Sequence, residues 1–95
     1  QQVQAGLRHD LPMKIRVRYF ASLREALGAE EQVDVASTST VGALRDHLLG
    51  LSPAHAQGLS RERAVRCALN QRMCGEEAVL NDGAEVAFFP PVTGG

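Results

Sequence analysis

Lysine is nearly absent from this 95-residue chain: Lys14 is the only one. Little of the surface can therefore accept lysine-linked conjugates, so in any such chemistry the domain reads as a donor rather than an acceptor. A basic excess is missing as well, since 10 Lys and Arg against 11 Asp and Glu leave a formal charge of −1. A duplex-binding surface normally shows a clear cationic surplus, so nucleic acid is not an expected partner. No run approaches the roughly 18 apolar residues of a membrane span, and the first residues lack the apolar stretch of a signal peptide. The expectation is a cytoplasmic protein with no membrane partner.

Cysteine is scarce and badly spaced for sulfur or metal chemistry. Cys67 and Cys74 match neither a redox CxxC nor a pair of metal knuckles. Cys67 alternates with Val65 and Leu69 and reads as a core residue of a strand, while Cys74 falls near the following turn with more exposure. Both are expected to be structural thiols. His9, His47 and His55 share no ligand spacing, and His47 falls on the polar side of a predicted helix, so no metal site is expected. Internal repeats, low-complexity tracts and a resident set of nucleophile and base are also lacking; catalytic groups would have to come from partners.

What remains is an ordinary globular composition, 44% apolar and 22% charged, in a length that holds one small domain. Gln1 to Pro12 shows no periodicity and reads as a vector-derived or disordered extension (1–12). The domain proper is assigned to 13–89 and an extended tail to 90–95.

Within the domain, Ile15, Val17 and Tyr19 alternate with Arg16, Arg18 and Phe20 over Lys14 to Phe20, the two-residue period of a half-buried strand. Ser22-Leu23-Arg24-Glu25 fits a capping box opening a short helix to Leu27, with Gly28 closing it in a left-handed conformation. Glu31 to Val35 is a second strand, with Val33 and Val35 on one face, that pairs with the first. Thr40 is the expected N-cap of the main helix, in which Val41, Leu44 and Leu48 form an apolar stripe and Gly50 supplies the stop.

Pro53 to Ser60 reads as a connector with about one helical turn. Ala64 to Asn70 is a third strand with Val65, Cys67 and Leu69 inward, and Asn70-Gln71 makes a tight turn into a short strand at Arg72 to Cys74. Asn81-Asp82-Gly83 turns the chain into a last strand, Ala84 to Phe89, with Val86 and Phe88 on one side and Ala87 and Phe89 on the other. This order predicts an α+β fold, a mixed sheet with one main helix packed across one face, for which a β-grasp is the most economical match.

The end of the sequence, Pro90-Pro91-Val92-Thr93-Gly94-Gly95, reads as a chemical handle. Two glycines without Cβ atoms can enter a narrow cleft, and two prolines hold the segment before them extended and away from the body. Phe20 and Phe89 lie opposite the inward residues of their strands, with Met73 near them if the strands are neighbours. The expectation is an apolar partner-docking patch, with Arg24 of the short helix as a polar rim contact.

The run Asp82-Gly83-Ala84-Glu85-Val86-Ala87-Phe88-Phe89-Pro90-Pro91-Val92-Thr93-Gly94-Gly95 closely resembles the C-terminus of the MoaD family, the small subunits of molybdopterin synthase. The resemblance extends through Val17 to Glu25, Thr40 to Leu44 and Leu69-Asn70-Gln71, and so covers about Met13 to Gly95. It implies a ubiquitin-like sulfur carrier with no bound cofactor. An adenylating activating enzyme would spend ATP on the Gly95 carboxylate, which is then converted to a thiocarboxylate. The resemblance further implies that the tail, with Gly94, Thr93 and Val92, inserts into a channel of the synthase large subunit in a heterotetramer, Thr93 and Val92 contacting its walls. There sulfur passes to cyclic pyranopterin monophosphate in molybdenum cofactor biosynthesis. Two other readings stand beside it: a thiamine-pathway sulfur carrier, and a ubiquitin-like interaction module never loaded with sulfur. The Phe88-Phe89-Pro90-Pro91-Val92 run favours the molybdopterin branch.

Overall fold

The computed structural model describes residues 12–37 and 39–91. The assigned extension, but for Pro12, and the tail residues Val92, Thr93, Gly94 and Gly95 lie outside the described residues.

The alternation at the start of the domain folds as β1 (Met13–Tyr19), burying Met13, Ile15, Val17 and Tyr19. It pairs antiparallel with β2 (Glu30–Val35), placing Ile15 opposite Val33 and Met13 opposite Val35 on the inner face. Between them runs α1 (Ala21–Leu27).

The capping box does not form. Phe20, in extended conformation, occupies the N-cap position without a side-chain cap, and Ala21 turns the corner with φ 55°. Tertiary packing overrides the local signal. Tyr19 is held in the core while the Phe20 N–H donates to the Phe88 carbonyl at 3.2 Å, so the N-cap falls at Phe20 and the helix begins two residues earlier than the Ser22 hydroxyl would dictate. Gly28 has the expected positive φ, 95°, but with ψ 173°, an extended rather than left-handed helical conformation that is essentially restricted to glycine.

Thr40 caps α2 (Val41–Leu49), its Oγ1 accepting from the Ala43 N–H at 3.2 Å. The stripe Val41, Leu44 and Leu48 is wholly buried, and Gly50 ends the helix with its N–H on the His47 carbonyl. The connector contains α3 (Pro53–Gly58), with Ser52 as N-cap and proline at the helix start.

β3 (Arg66–Leu69) is shorter than the predicted Ala64 to Asn70, because its ladder with the last strand runs only from Arg66 opposite Phe89 to Leu69 opposite Val86. Cys67 is inward as expected, whereas Val65 and Leu69 are half-buried at the margin of the core. Asn70 and Gln71, at φ 51° and 72°, make the two-residue turn into β4 (Arg72–Cys74).

The Asn81–Gly83 turn is tied to β1. Asp82 Oδ1 accepts from the Lys14 N–H at 2.7 Å, and the Gly83 N–H donates to the Lys14 carbonyl at 2.8 Å. This launches β5 (Glu85–Phe89) parallel to β1 and antiparallel to β3, giving the strand order β2-β1-β5-β3-β4. The last strand is therefore central, and the sheet with α2 packed on its apolar face is the α+β, β-grasp arrangement expected.

Arg45 was not expected in the interior. It is 4% exposed on α2, where Nε donates to the Leu59 carbonyl at 2.8 Å, Nη2 to the Ser60 carbonyl at 2.7 Å, and Nη1 to Glu76 at 2.7 Å. A planar guanidinium thus pins the loop after α3 to the main helix. Arg61 adds a second guanidinium on Glu76 and a bond to Asp46 at 2.8 Å. Arg45→Ala orphans the carbonyls it serves and is expected to cost about 1–3 kcal/mol in denaturant unfolding. An unchanged midpoint would show that water replaces the guanidinium freely.

Candidate functional site

The period of two that buries Tyr19 and Phe88 turns Ala87 and Phe89 to the opposite face of the sheet, and the chain leaving β1 sets Phe20 beside them. The register lines up Arg18 with Ala87, Ala87 with Ala68, and Ala68 with Met73, one row across four strands. Beside that row the Phe20 and Phe89 rings meet edge to face, with centroids 6.5 Å apart and planes at 82°. Ala68 and Ala87 floor a shallow apolar groove that Phe20 and Phe89 border, and Pro90 stands at its end. Phe20 is 38% and Met73 56% exposed.

Of the residues singled out in the sequence, Phe20, Met73 and Phe89 are thus brought onto one face. Arg24 is exposed on α1 and does not line the groove. Gly95, Gly94, Thr93 and Val92 lie outside the described residues, but their root is placed: Phe89 ends β5, and the half-buried Pro90 and Pro91 carry the chain away from it.

Arg18 was missed. Its guanidinium carbon lies 5.3 Å from the Phe20 ring centroid, a cation–π contact. It stands 3.7 Å from Glu85 and 3.8 Å from Glu30, and its Nε is buried without a hydrogen-bond partner. Its guanidinium places a positive charge at the rim of the apolar groove. The signal was available: Arg18 shares the outward phase of Phe20.

Beneath the sheet, on its inner side, four polar side chains form a chain of contacts. Tyr19 Oη donates to Glu31 Oε2 at 2.6 Å, the same oxygen lies 2.7 Å from His55 Nε2, and His55 Nδ1 lies 2.7 Å from Ser52 Oγ. A neutral His55 protonated at Nε2 satisfies the whole chain, with the Ser52 hydroxyl donating to Nδ1. The network staples α3 to β1 and β2.

Burial raises the Tyr19 phenol, and the Glu31 carboxylate raises it further. Burial also pushes the Glu31 carboxyl up, but the hydrogen bonds from Tyr19 and His55 outweigh it and leave it below the usual carboxylate range. A depressed carboxyl contributes stability that is present above its unfolded value, near 4.3, and lost as pH falls through the folded value. A raised phenol contributes stability that is present below about 10 and lost above it. Stability is expected to fall on both sides, and Glu31→Gln should flatten the acid limb. Parallel acid limbs for wild type and variant in pH-dependent urea melts would remove Glu31 from this role.

Among the described residues no cluster of three His, Cys, Asp or Glu side chains is placed to hold a metal, and no helix is long and apolar enough to cross a membrane. The geometry offers an exposed apolar face with a shallow groove and, beside it, the end of β5 at Phe89.

A ThiS-family model matches residues 17–95. The molybdopterin synthase sulfur carrier subunit of Escherichia coli (strain K12) is 42% identical over 81 residues, covering 85% of this chain and 99% of that protein. The crystal structure of SAMP1 from Haloferax volcanii matches with a TM-score of 0.71 at 31% identity, covering 86% of this chain and 99% of that one. The same fold recurs in the protein–protein complex of subunits 1 and 2 of molybdopterin-converting factor from Helicobacter pylori 26695, with a TM-score of 0.59 at 24% identity, covering 87% of this chain and 100% of that one. With a match running from the middle of β1 to the last residue, and a β-grasp sheet beneath it, the chain belongs to the ThiS family.

Proposed function

We propose that this protein is the sulfur-carrier small subunit of a cytoplasmic molybdopterin synthase and that the Gly95 carboxylate is the group that carries the sulfur. The observation that carries the reading is one strand with two duties. β5 contributes Phe89 to the apolar outer face and continues directly through Pro90 and Pro91 into the Gly-Gly end.

A carboxylate is a poor electrophile because its charge is delocalised, so it must first be activated. An adenylating enzyme joins it to the AMP portion of ATP, releasing pyrophosphate. A sulfur nucleophile then displaces AMP and leaves a thiocarboxylate, whose sulfur is ionised and strongly nucleophilic at neutral pH. Gly94 and Gly95 present this group without a Cβ to obstruct a cleft, and Val92 and Thr93 contact the channel walls. The acceptor in this reading is cyclic pyranopterin monophosphate, and one sulfur per carrier means two carriers per product, each released after use.

The large synthase subunit is the partner that the outer face fits. Phe20, Phe89 and Met73 supply apolar anchors, and Arg18 and Arg24 supply polar contacts at the margin. The Helicobacter pylori complex, which pairs two subunits of a converting factor, supports this choice. Phe89→Ala and Met73→Glu are each expected to weaken binding to the large subunit at least tenfold, about 1.4 kcal/mol. Titration calorimetry reads the loss, and full affinity in both variants would place the interface elsewhere.

The 42% identity to a molybdopterin synthase carrier favours this branch over a thiamine-pathway carrier. The likeness to SAMP1 keeps a modifier role as the second reading. Incubation with an activating enzyme, ATP and a sulfur donor separates them. The carrier gains the mass difference between sulfur and oxygen in intact-protein mass spectrometry, whereas a chain that stays unchanged under conditions that load a known carrier is not a sulfur carrier. Adding the large subunit and the pterin precursor then assigns the pathway.

A further inference from the structure

The edge hairpin sets both thiols of the protein face to face. Cys67 and Cys74 are directly opposed in the antiparallel ladder of β3 and β4, and their Sγ atoms lie 3.9 Å apart. The Cys67 thiol also donates to the Cys74 carbonyl at 3.4 Å. Opposed residues in such a ladder have Cα atoms about 4.5–5.5 Å apart, inside the roughly 4.4–6.8 Å that disulfides span. Bringing the sulfurs to a bond of about 2.05 Å therefore asks for side-chain rotation more than for strand movement. β4 lies at the end of the sheet with β3 as its one neighbour, so it is free to settle as the side chains turn.

We propose that Cys67 and Cys74 are a redox-modification site, closing to an intrachain disulfide by exchange with a low-molecular-weight disulfide and reopening with a small thiol. The two ends differ in reactivity. Cys74 is half-buried at the sheet edge, whereas Cys67 is buried, and burial together with the neighbouring Cys74 pushes its thiol up to about 12. The Cys74 thiolate therefore attacks first, breaking the S–S bond of the small disulfide, forming a mixed disulfide and expelling one small thiolate. Cys67 then gives up its proton to solvent, attacks the Cys74 sulfur of the mixed disulfide and expels the second. The protein loses two electrons and two protons, and the small disulfide is reduced to two thiols. The resolving thiol is held beside its target, so the second step is intramolecular, and this proximity offsets the scarcity of the Cys67 thiolate.

The alternation of β3 and β4 sets this chemistry on the opposite face from Ala68 and Met73. The bond pins the hairpin that carries Met73 while adding nothing to the apolar groove. It is a property of the hairpin alone and does not depend on sulfur loading at Gly95.

Exposing the full chain to oxidised glutathione should give a monomer lighter by two hydrogens that resists alkylation in denaturant. Its Tm should rise by about 5–10 °C, and dithiothreitol should reverse both effects. Cys67→Ser should stop at a lasting glutathione adduct on Cys74, and Cys74→Ser should remain unmodified. A wild-type chain that ends as a mixed disulfide, as a disulfide-linked dimer or with both thiols still alkylated overturns the proposal. So does an oxidised chain with an unchanged or lowered Tm, which would mean that the bond does not fit the hairpin as folded.

Discussion

A chain lacking Gly95 is expected to take up no sulfur and support no transfer, yet to unfold at the same denaturant concentration as the full chain. The two halves of this result come from different parts of the molecule. Among the described residues the ladder ends with β5 at Phe89, and Gly95 follows it by six residues in the sequence. Removing it leaves Gly94 as the terminal carboxylate, one residue, or about 3.3–3.6 Å, short of its place in a partner's cleft. A displacement of about 1 Å is already enough to slow a positioned reaction by two orders of magnitude. Loading and transfer should therefore drop to background by mass spectrometry and product assay while the urea midpoint holds. Residual transfer above background would mean that the carrying group is not the terminal carboxylate. A lowered midpoint would mean that the tail is part of the fold.

Leu44→Ala is the mirror case, a change far from the tail that acts on the fold. Leu44 is wholly buried on the face of α2 that packs into the core cluster with Ile15, Val17 and Val86. Truncation removes buried methyl groups and leaves a cavity that the surrounding sheet cannot fully close, with an expected loss of about 2–5 kcal/mol. In a domain of this size, near the lower limit for a single core, such a loss is a large share of total stability. Equilibrium urea unfolding measures it directly. A loss below about 0.5 kcal/mol, the range of surface substitutions, would contradict the helix face described.

Elements whose logic is local were legible in the sequence. The alternation of β1, the Val41–Leu44–Leu48 stripe with its Thr40 cap, and the Asn70–Gln71 and Asn81–Gly83 turns each declare themselves within a few residues. The outward pair Phe20 and Phe89 followed from the same alternation. What was not legible depends on partners far apart in the chain. Arg45 sits at a helix position that reads as surface, and only the loop carbonyls of Leu59 and Ser60 make its burial tolerable. Glu31 meets Tyr19 and His55 across 12 and 24 residues.

The Ser22 capping box was a correct local motif displaced by the bond from Phe20 to Phe88. The thiol pair lay between these cases: Cys67 and Cys74 are each three residues from the Asn70–Gln71 turn, and a two-residue hairpin turn makes equidistant residues face each other. The spacing that excluded a metal knuckle thus encoded a cross-strand contact.

In the carrier reading proposed above, where partners grip the end of the chain, the position of β5 has a mechanical meaning. β5 lies between β1, to which it runs parallel, and β3, to which it runs antiparallel. A pull on the tail is directed along β5 and so loads its backbone hydrogen bonds to both neighbours in shear. They must yield together, not open one after another from an edge. On that reading a partner can draw on the end of the chain while the sheet behind Phe89 stays closed.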